Sequence, residues 1–198
     1  NTVTAPSAGR KIFATGSADE TQASTNTMTP TLIDYAKEAA MLANPKIRPV
    51  KVNGNDMYVM YLHPTQVTDL RTNTSTGQWL DIQKAAMMGS EGTDSNPIFT
   101  GALGVYNGVV LRQNEDVTTG VNSSTAAEIT TVRRAVLLGA QAVGFAQSTQ
   151  YSKSSPYKWV EKKFDYDREL GVSAQGLMGL KKMIFNSKDH GCLTLSTY

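Results

Sequence analysis

The sequence predicts an α+β fold dominated by strands, and three observations carry that prediction. Apolar residues recur at helical spacing between Thr29 and Asn44, two strand-like runs flank Asn53-Gly54, and the late runs YKWVEKKFDYD and HGCLTLSTY alternate as strands do. Abundant Thr, Ser, Asn and Gln beside 16 glycines suit strands joined by long polar loops.

The elements follow in order. Residues Asn1 to Thr27 are small and polar, with only KIFATG (Lys11 to Gly16) able to form a strand, so an extended, loosely held arm is expected. Thr29 then suits a helix N-cap, Pro30 suits the first helical position, and Asp34 lies near the positive end of the dipole. Leu32, Ile33, Ala36, Ala39, Ala40 and Ala43 form one stripe, and Pro45 stops the helix at Asn44. Val50 and Val52 alternate with Lys51, Asn53-Gly54-Asn55 supplies a tight turn, and Met57 to Leu62 make a second strand, expected to be buried on both faces. Pro64 opens the helix PTQVTDLRT, with Val67 and Leu70 on its inner side.

After the polar loop Asn73 to Gln78, Trp79 to Gly89 reads as another amphipathic helix. Turn signals precede Pro97 and recur at Asn107-Gly108, and Gly108 to Gln113 reads as a strand. Val117 to Glu128 reads as a flexible loop. The apolar stretch within Thr130 to Gln147 fits strand, helix or one followed by the other, and periodicity does not choose between them. The region GVSAQGLMGLKKMIFN is equally open, and no internal repeat stands out.

At 198 residues the chain can form one domain or two small ones around a real core. The formal charge of +2, from 19 basic and 17 acidic residues, provides no field that would draw nucleic acid or an anionic membrane, so any polyanion contact must be local. No apolar run approaches the roughly 18 residues that span a bilayer, and the start lacks a signal-peptide pattern. A soluble protein made in a cytoplasm, with no membrane partner, is expected. A charged fraction of only 18% also suits wide protein contacts. Asn1 is not an initiating methionine, from which a longer gene product is expected.

Side chains able to carry chemistry are few. The single cysteine, Cys192, excludes an internal disulfide and a CxxC metal site, and reads as a small buried apolar residue. His63 and His190 lack second ligands at zinc spacing, and His190 with Cys192 lacks an orienting third group. Asp165, Asp167 and Glu169 alternate, so an extended chain would put three carboxylates on one face for a hard cation, the basis of a metal-dependent hydrolase reading. Lys162, Lys163 and Arg168 favour a salt-linked surface instead. Arg133 with Arg134 and Lys181 with Lys182 are pairs without interleaved aromatics, the basis of an alternative reading as a module binding nucleic acid or another macromolecular component. Trp159 and Phe164 suit either a partner contact or a core. No catalytic residues, cofactor site or metal site are assigned.

Four blocks carry a family resemblance: LIDYAKEAAMLANPKIRPVKVNGNDMYVMYLHPTQVTDLRTN, NPIFTGALGVYNGVVLRQNEDV, RRAVLLGAQAV and KWVEKKFDYDRELGVSAQGLMGLKKMIFNSKDHGCLTLST. In order and wording they resemble the major capsid proteins of tailed bacteriophages related to coliphage N-four, over about five sixths of the chain from Thr29 to Tyr198. The resemblance implies a Hong Kong 97-like capsid fold with a peripheral domain, comprising a spine helix and a long sheet, and an axial domain. It implies an arm or extended-loop remnant over 1–28, peripheral domain over 29–62 with its spine helix at Thr29 to Asn44, axial domain over 63–155, and a return to the peripheral domain over 156–198. Only 28 residues precede that helix, where the family has an amino-terminal arm and an extended loop, so a shortened chain is expected. Function would be structural: self-assembly through pentamers and hexamers into an icosahedral shell around double-stranded DNA. Scaffolding, portal and decoration proteins would be further partners, with assembly in the bacterial host cytoplasm. Such a subunit needs a stiff shape whose edges meet identical copies.

Overall fold

The structure, a computed structural model, describes residues 6–52, 54–73, 103–148 and 157–198. The predicted helix Trp79 to Gly89, the turn before Pro97 and nearly all of the Asn73 to Gln78 loop lie outside the described residues.

In chain order the elements are β1 (Lys11–Phe13), a 3-10 turn (Asp19–Thr21), α1 (Pro30–Leu42), β2 (Val50–Val52), β3 (Asn55–Leu62), α2 (Pro64–Thr72), β4 (Val105–Tyr106) and β5 (Val109–Gln113). There follow β6 (Thr119–Val121), β7 (Glu128–Leu138), β8 (Val143–Gln147), β9 (Tyr157–Phe164), β10 (Glu169–Gly176) and β11 (Met178–Lys182). The chain closes with β12 (Ile184–Phe185), β13 (Lys188–Asp189) and β14 (Cys192–Thr197). It divides into two compact units, 1–142 with 184–198, and 143–183.

The first unit is built on a mixed sheet ordered β1-β14-β7-β3-β5-β4, with β2 on β3 and β6 on β7. The pairs β1–β14 and β3–β5 are parallel and the others antiparallel. Leu111, Met60, Leu137 and Leu193 are direct cross-strand partners, so one apolar row runs across four strands. Ile33, Ala36 and Ala40 of α1, with Val67 and Leu70 of α2, are buried in the same cluster, which makes both helices cover that face.

Local chemistry explains the element ends. Thr29 takes the N-cap backbone angles and Pro30 opens α1, but no Thr29 side-chain bond forms; the helix ends at Leu42, two residues before the predicted stop. The Asn107-Gly108 turn has φ of 45° and 71°, the positive pair a tight hairpin needs. It is tied to α1, since Lys37 Nζ donates to Asn107 O at 2.6 Å and Asn107 Nδ2 donates to Asp34 Oδ1 at 2.8 Å. Tyr106 OH donates to the other Asp34 oxygen at 3.0 Å.

Several expectations need correction. In β3 only Tyr58, Met60 and Leu62 are buried, while Val59 and Tyr61 are half-buried, because the helices pack on one face of the sheet. Val117 to Glu128 is no featureless loop: it contains β6, paired with β7. Thr130 to Gln147 resolves into β7, a turn and β8, with no helix. The described part of the amino-terminal segment is held rather than loose. Its backbone pairs with β14 through β1, and Arg10, Asp19 and Gln22 are buried.

Candidate assembly surface

His63 caps α2: its Nδ1 accepts from Thr65 N at 3.3 Å, and its own N–H donates to Gln66 Oε1 at 3.0 Å. This is a capping box with histidine in the serine position, a signal present in His63-Pro-Thr-Gln66 that the sequence reading passed over. Burial, then the charge of Arg133, lowers the His63 pKa, which keeps the ring neutral and able to accept. His190 Nε2 lies 3.2 Å from Gln141 Oε1, and its ring meets Phe185 edge-on. Cys192 is buried on β14, opposite Leu138. Each group has a packing role.

The acidic trio is not extended. Asp165, Tyr166 and Asp167 have φ of 45°, 52° and 69°, so they form the turn between β9 and β10. Asp165 pairs with Arg168 at 3.3 Å and Asp167 with Lys163 at 3.9 Å. Among the described residues no group of three or more acidic, histidine or cysteine side chains is placed to hold a metal ion. The salt-linked surface is the arrangement found.

The basic pairs separate as well. Arg134 Nε donates to Asp19 Oδ2 at 2.7 Å, its Nη2 reaches the same oxygen, and Val121 N donates to it at 2.9 Å. Burial pulls the Asp19 pKa up, yet bonds from Val121, Ser196 and Arg134, with the Arg134 charge, hold it below the ordinary value. Arg134 is therefore committed to the interior and withheld from phosphate. Lys181 and Lys182 belong to the other unit.

The same clasp pins the 3-10 turn against β6 and β7, where Gly120 leaves room: a Cβ there would stand 2.8 Å from Val132 Cβ. Further along the segment, Asp189 Oδ2 accepts from Ser7 N at 2.9 Å and Asp189 N donates to Ser7 Oγ at 2.8 Å. Buried Arg10 donates to the Pro45 carbonyl. Burial lowers the Arg10 pKa while Asp189 and Cys192 oppose that.

The second unit is a long antiparallel hairpin. β9 pairs with β10 from Phe164–Glu169 to Tyr157–Gly176, and β8 with β11 from Gln147–Met178 to Val143–Lys182. Most of the large apolar side chains left exposed among the described residues lie here, including Phe145, Trp159, Leu170 and Leu180; Tyr166 at the tip is 98% exposed. Trp159 and Phe164 are thus surface residues and not core. Exposed apolar side chains gathered on one unit are the kind of surface that serves protein contacts.

A family model described as "Phage capsid protein" matches residues 1–198. The chain belongs to the phage capsid protein family. This capsid protein is 27% identical over 215 residues to the "Major capsid protein" of Pseudomonas phage KPP25, covering 98% of this chain and 53% of that relative. It is 32% identical to a chain of the capsid of Ralstonia phage GP4, with a TM-score of 0.70 and coverage of 98% and 53%. A chain of the cyanophage Pam1 capsid shares its fold, at 21% identity, a TM-score of 0.72 and coverage of 96% and 54%. The capsid protein spans about half the length of these relatives. The family and both of these relatives are described as phage capsid proteins.

Proposed function

We infer that the chain is part of a major capsid subunit with a Hong Kong 97-like fold, which joins copies of itself into pentamers and hexamers and so builds the icosahedral head of a tailed phage. The observation that carries this reading is the phage capsid family match along all 198 residues. It is supported by a sheet whose buried row and two covering helices give a stiff body, and by histidines and a cysteine whose groups serve packing.

In this reading α1 is the spine helix, 29–62 and 156–198 belong to the peripheral domain, 63–155 to the axial domain, and 1–28 to an arm or extended-loop remnant. The shell assembles in the host cytoplasm and encloses double-stranded DNA, which its inner face meets without sequence preference, as a net charge of +2 allows. Scaffolding, portal and decoration proteins are further partners.

The test is negative-stain microscopy of the complete gene product, expressed alone and with its neighbouring phage genes. Uniform closed shells in either case are the expected result. Absence of particles in both would overturn the reading.

A further inference from the structure

The hairpin 143–183 has two unlike faces. Cross-strand partners share a face, so Tyr157, Trp159, Leu170, Val172 and Ala174 lie together on β9 and β10, with the charges of Glu161 and Lys163 beside Val172 and Leu170, as do Phe145 and Leu180 on β8 and β11. The even-numbered positions of β10 and β11 carry this side, with Leu170, Val172, Ala174, Met178 and Leu180 on it and Lys182 at its end. The other side is poorer in large apolar groups: it presents Lys158, Lys162, Ser173 and Gln175 around Val160 and Phe164, then Gly144, Ala146, Gly179 and Lys181.

The two sides also differ in how their aromatics are finished. Trp159 Nε1 donates to Glu161 Oε1 at 2.6 Å along its own strand, so the indole can be covered without stranding a donor. On the other side Phe164, though 48% exposed, is partly covered: its ring leaves no room for a Cβ at Gly171, and Lys162 Nζ stands 5.3 Å from its centroid. Trp159, by contrast, is 63% exposed and Leu180 74%.

We propose that the face bearing Phe145, Trp159, Leu170, Val172 and Leu180 seats on the 1–142 and 184–198 body of a second copy of this chain, an assignment that rests on the shell reading. Charge favours that occupant. Residues 143–183 hold 7 of the 19 basic and 4 of the 17 acidic side chains, a net +3, which leaves 12 basic against 13 acidic, a net −1, on the body. Size agrees: the ladders have eight and five pairs. At about 3.4 Å per residue and roughly 10 Å of width, one face projects on the order of 400 Å², which side-chain relief carries toward the ~800 Å² per partner of a standard interface. A lone two-stranded ribbon is marginal in water, so covering this face also stabilises the hairpin.

Photocrosslinking of the complete gene product, with its phage neighbours coexpressed if shells require them, tests the proposal. Benzoylphenylalanine is placed at Trp159 or, as control, at Lys162, and unlabelled and nitrogen-15-labelled chains are assembled together. Expected are crosslinks from position 159 joining labelled to unlabelled body peptides, several-fold more abundant than from position 162. Crosslinks confined to one chain, to another phage protein, or equal from both positions overturn it. If shells form while position 159 links only within its own chain, this inference falls and the shell reading stands; if no oligomer of any kind forms, both fall. As a second readout, Trp159→Ser with Leu170→Ser is expected to cut shell yield at least ten-fold with unchanged far-ultraviolet circular dichroism, and unchanged yield overturns the proposal.

Discussion

Arg134 on β7 grips Asp19 in the 3-10 turn across 115 residues of sequence, with Nε donating to Oδ2 at 2.7 Å. Both side chains are removed from water, at 13% and 2% exposure, so neither can be deleted alone without leaving a buried charge. Arg134→Met is expected to cost about 3 kcal/mol, and Asp19→Leu combined with Arg134→Met less than either single change. Urea melts of the four proteins measure the coupling; additive losses would refute it. Because Asp19 has a depressed folded pKa, its contribution is present above the unfolded value near 3.9 and lost as pH falls through the folded one. Acid melts of Asp19→Asn should therefore show a shallower loss of stability below about pH 4.

The capping role of His63 sets a second expectation. His63→Ala should cost about 1 kcal/mol and His63→Asn much less, since asparagine restores an acceptor for Thr65 N. With a folded pKa below the unfolded value near 6.5, the neutral ring's contribution is complete above that pH and declines as pH falls from it through the folded pKa. Thermal melts between pH 7.5 and 5 should show this step in the parent and not in His63→Ala.

Gly191 is required by close packing. A Cβ there would stand 2.6 Å from Ala142 N and 2.7 Å from Ala140 O, both backbone atoms that cannot rotate aside. Gly191→Ala should destabilise by about 2 kcal/mol, whereas at Gly179, where a Cβ meets nothing within 4 Å, Gly179→Ala should shift a urea midpoint little.

The exposed turn after β6 separates folding from assembly. Ser124 is exposed and engages Asn122 through its backbone N–H, at 2.9 Å, so Ser124→Glu should change stability by less than about 0.5 kcal/mol. If this turn meets a neighbouring subunit in a shell, Ser124→Glu lowers shell yield. Normal shells from that variant would remove the turn from the contact surface.

Much of the fold was legible because it is local. Pro30 and Pro64 open helices, Asn107-Gly108 supplies two positive φ angles, and the alternation in Cys192 to Thr197 marks β14 as a strand; each effect acts within a few residues. The capping box at His63 was local too, and was missed only because histidine is an unusual cap. What the sequence could not supply were contacts set by closure of the sheet. VRRAVLLGAQAV suits helix and strand alike, and β7 is a strand because β14 and β3 pair with it on either side. The alternating carboxylates of 165–169 would share a face only if extended, and the hairpin turn bends them apart.

By itself, then, the sequence determined the strand-rich α+β class, the positions of α1, α2 and the β2–β3 and β4–β5 turns, and a family resemblance, since turn, cap and periodicity chemistry depends on near neighbours. The tertiary structure alone decided that Asp19 lies against Arg134, that one face of β3 meets the helices, and that Trp159 remains exposed on a hairpin's apolar side. Those outcomes depend on which distant segments exclude water together, a property of the whole packed chain that no short stretch of it carries.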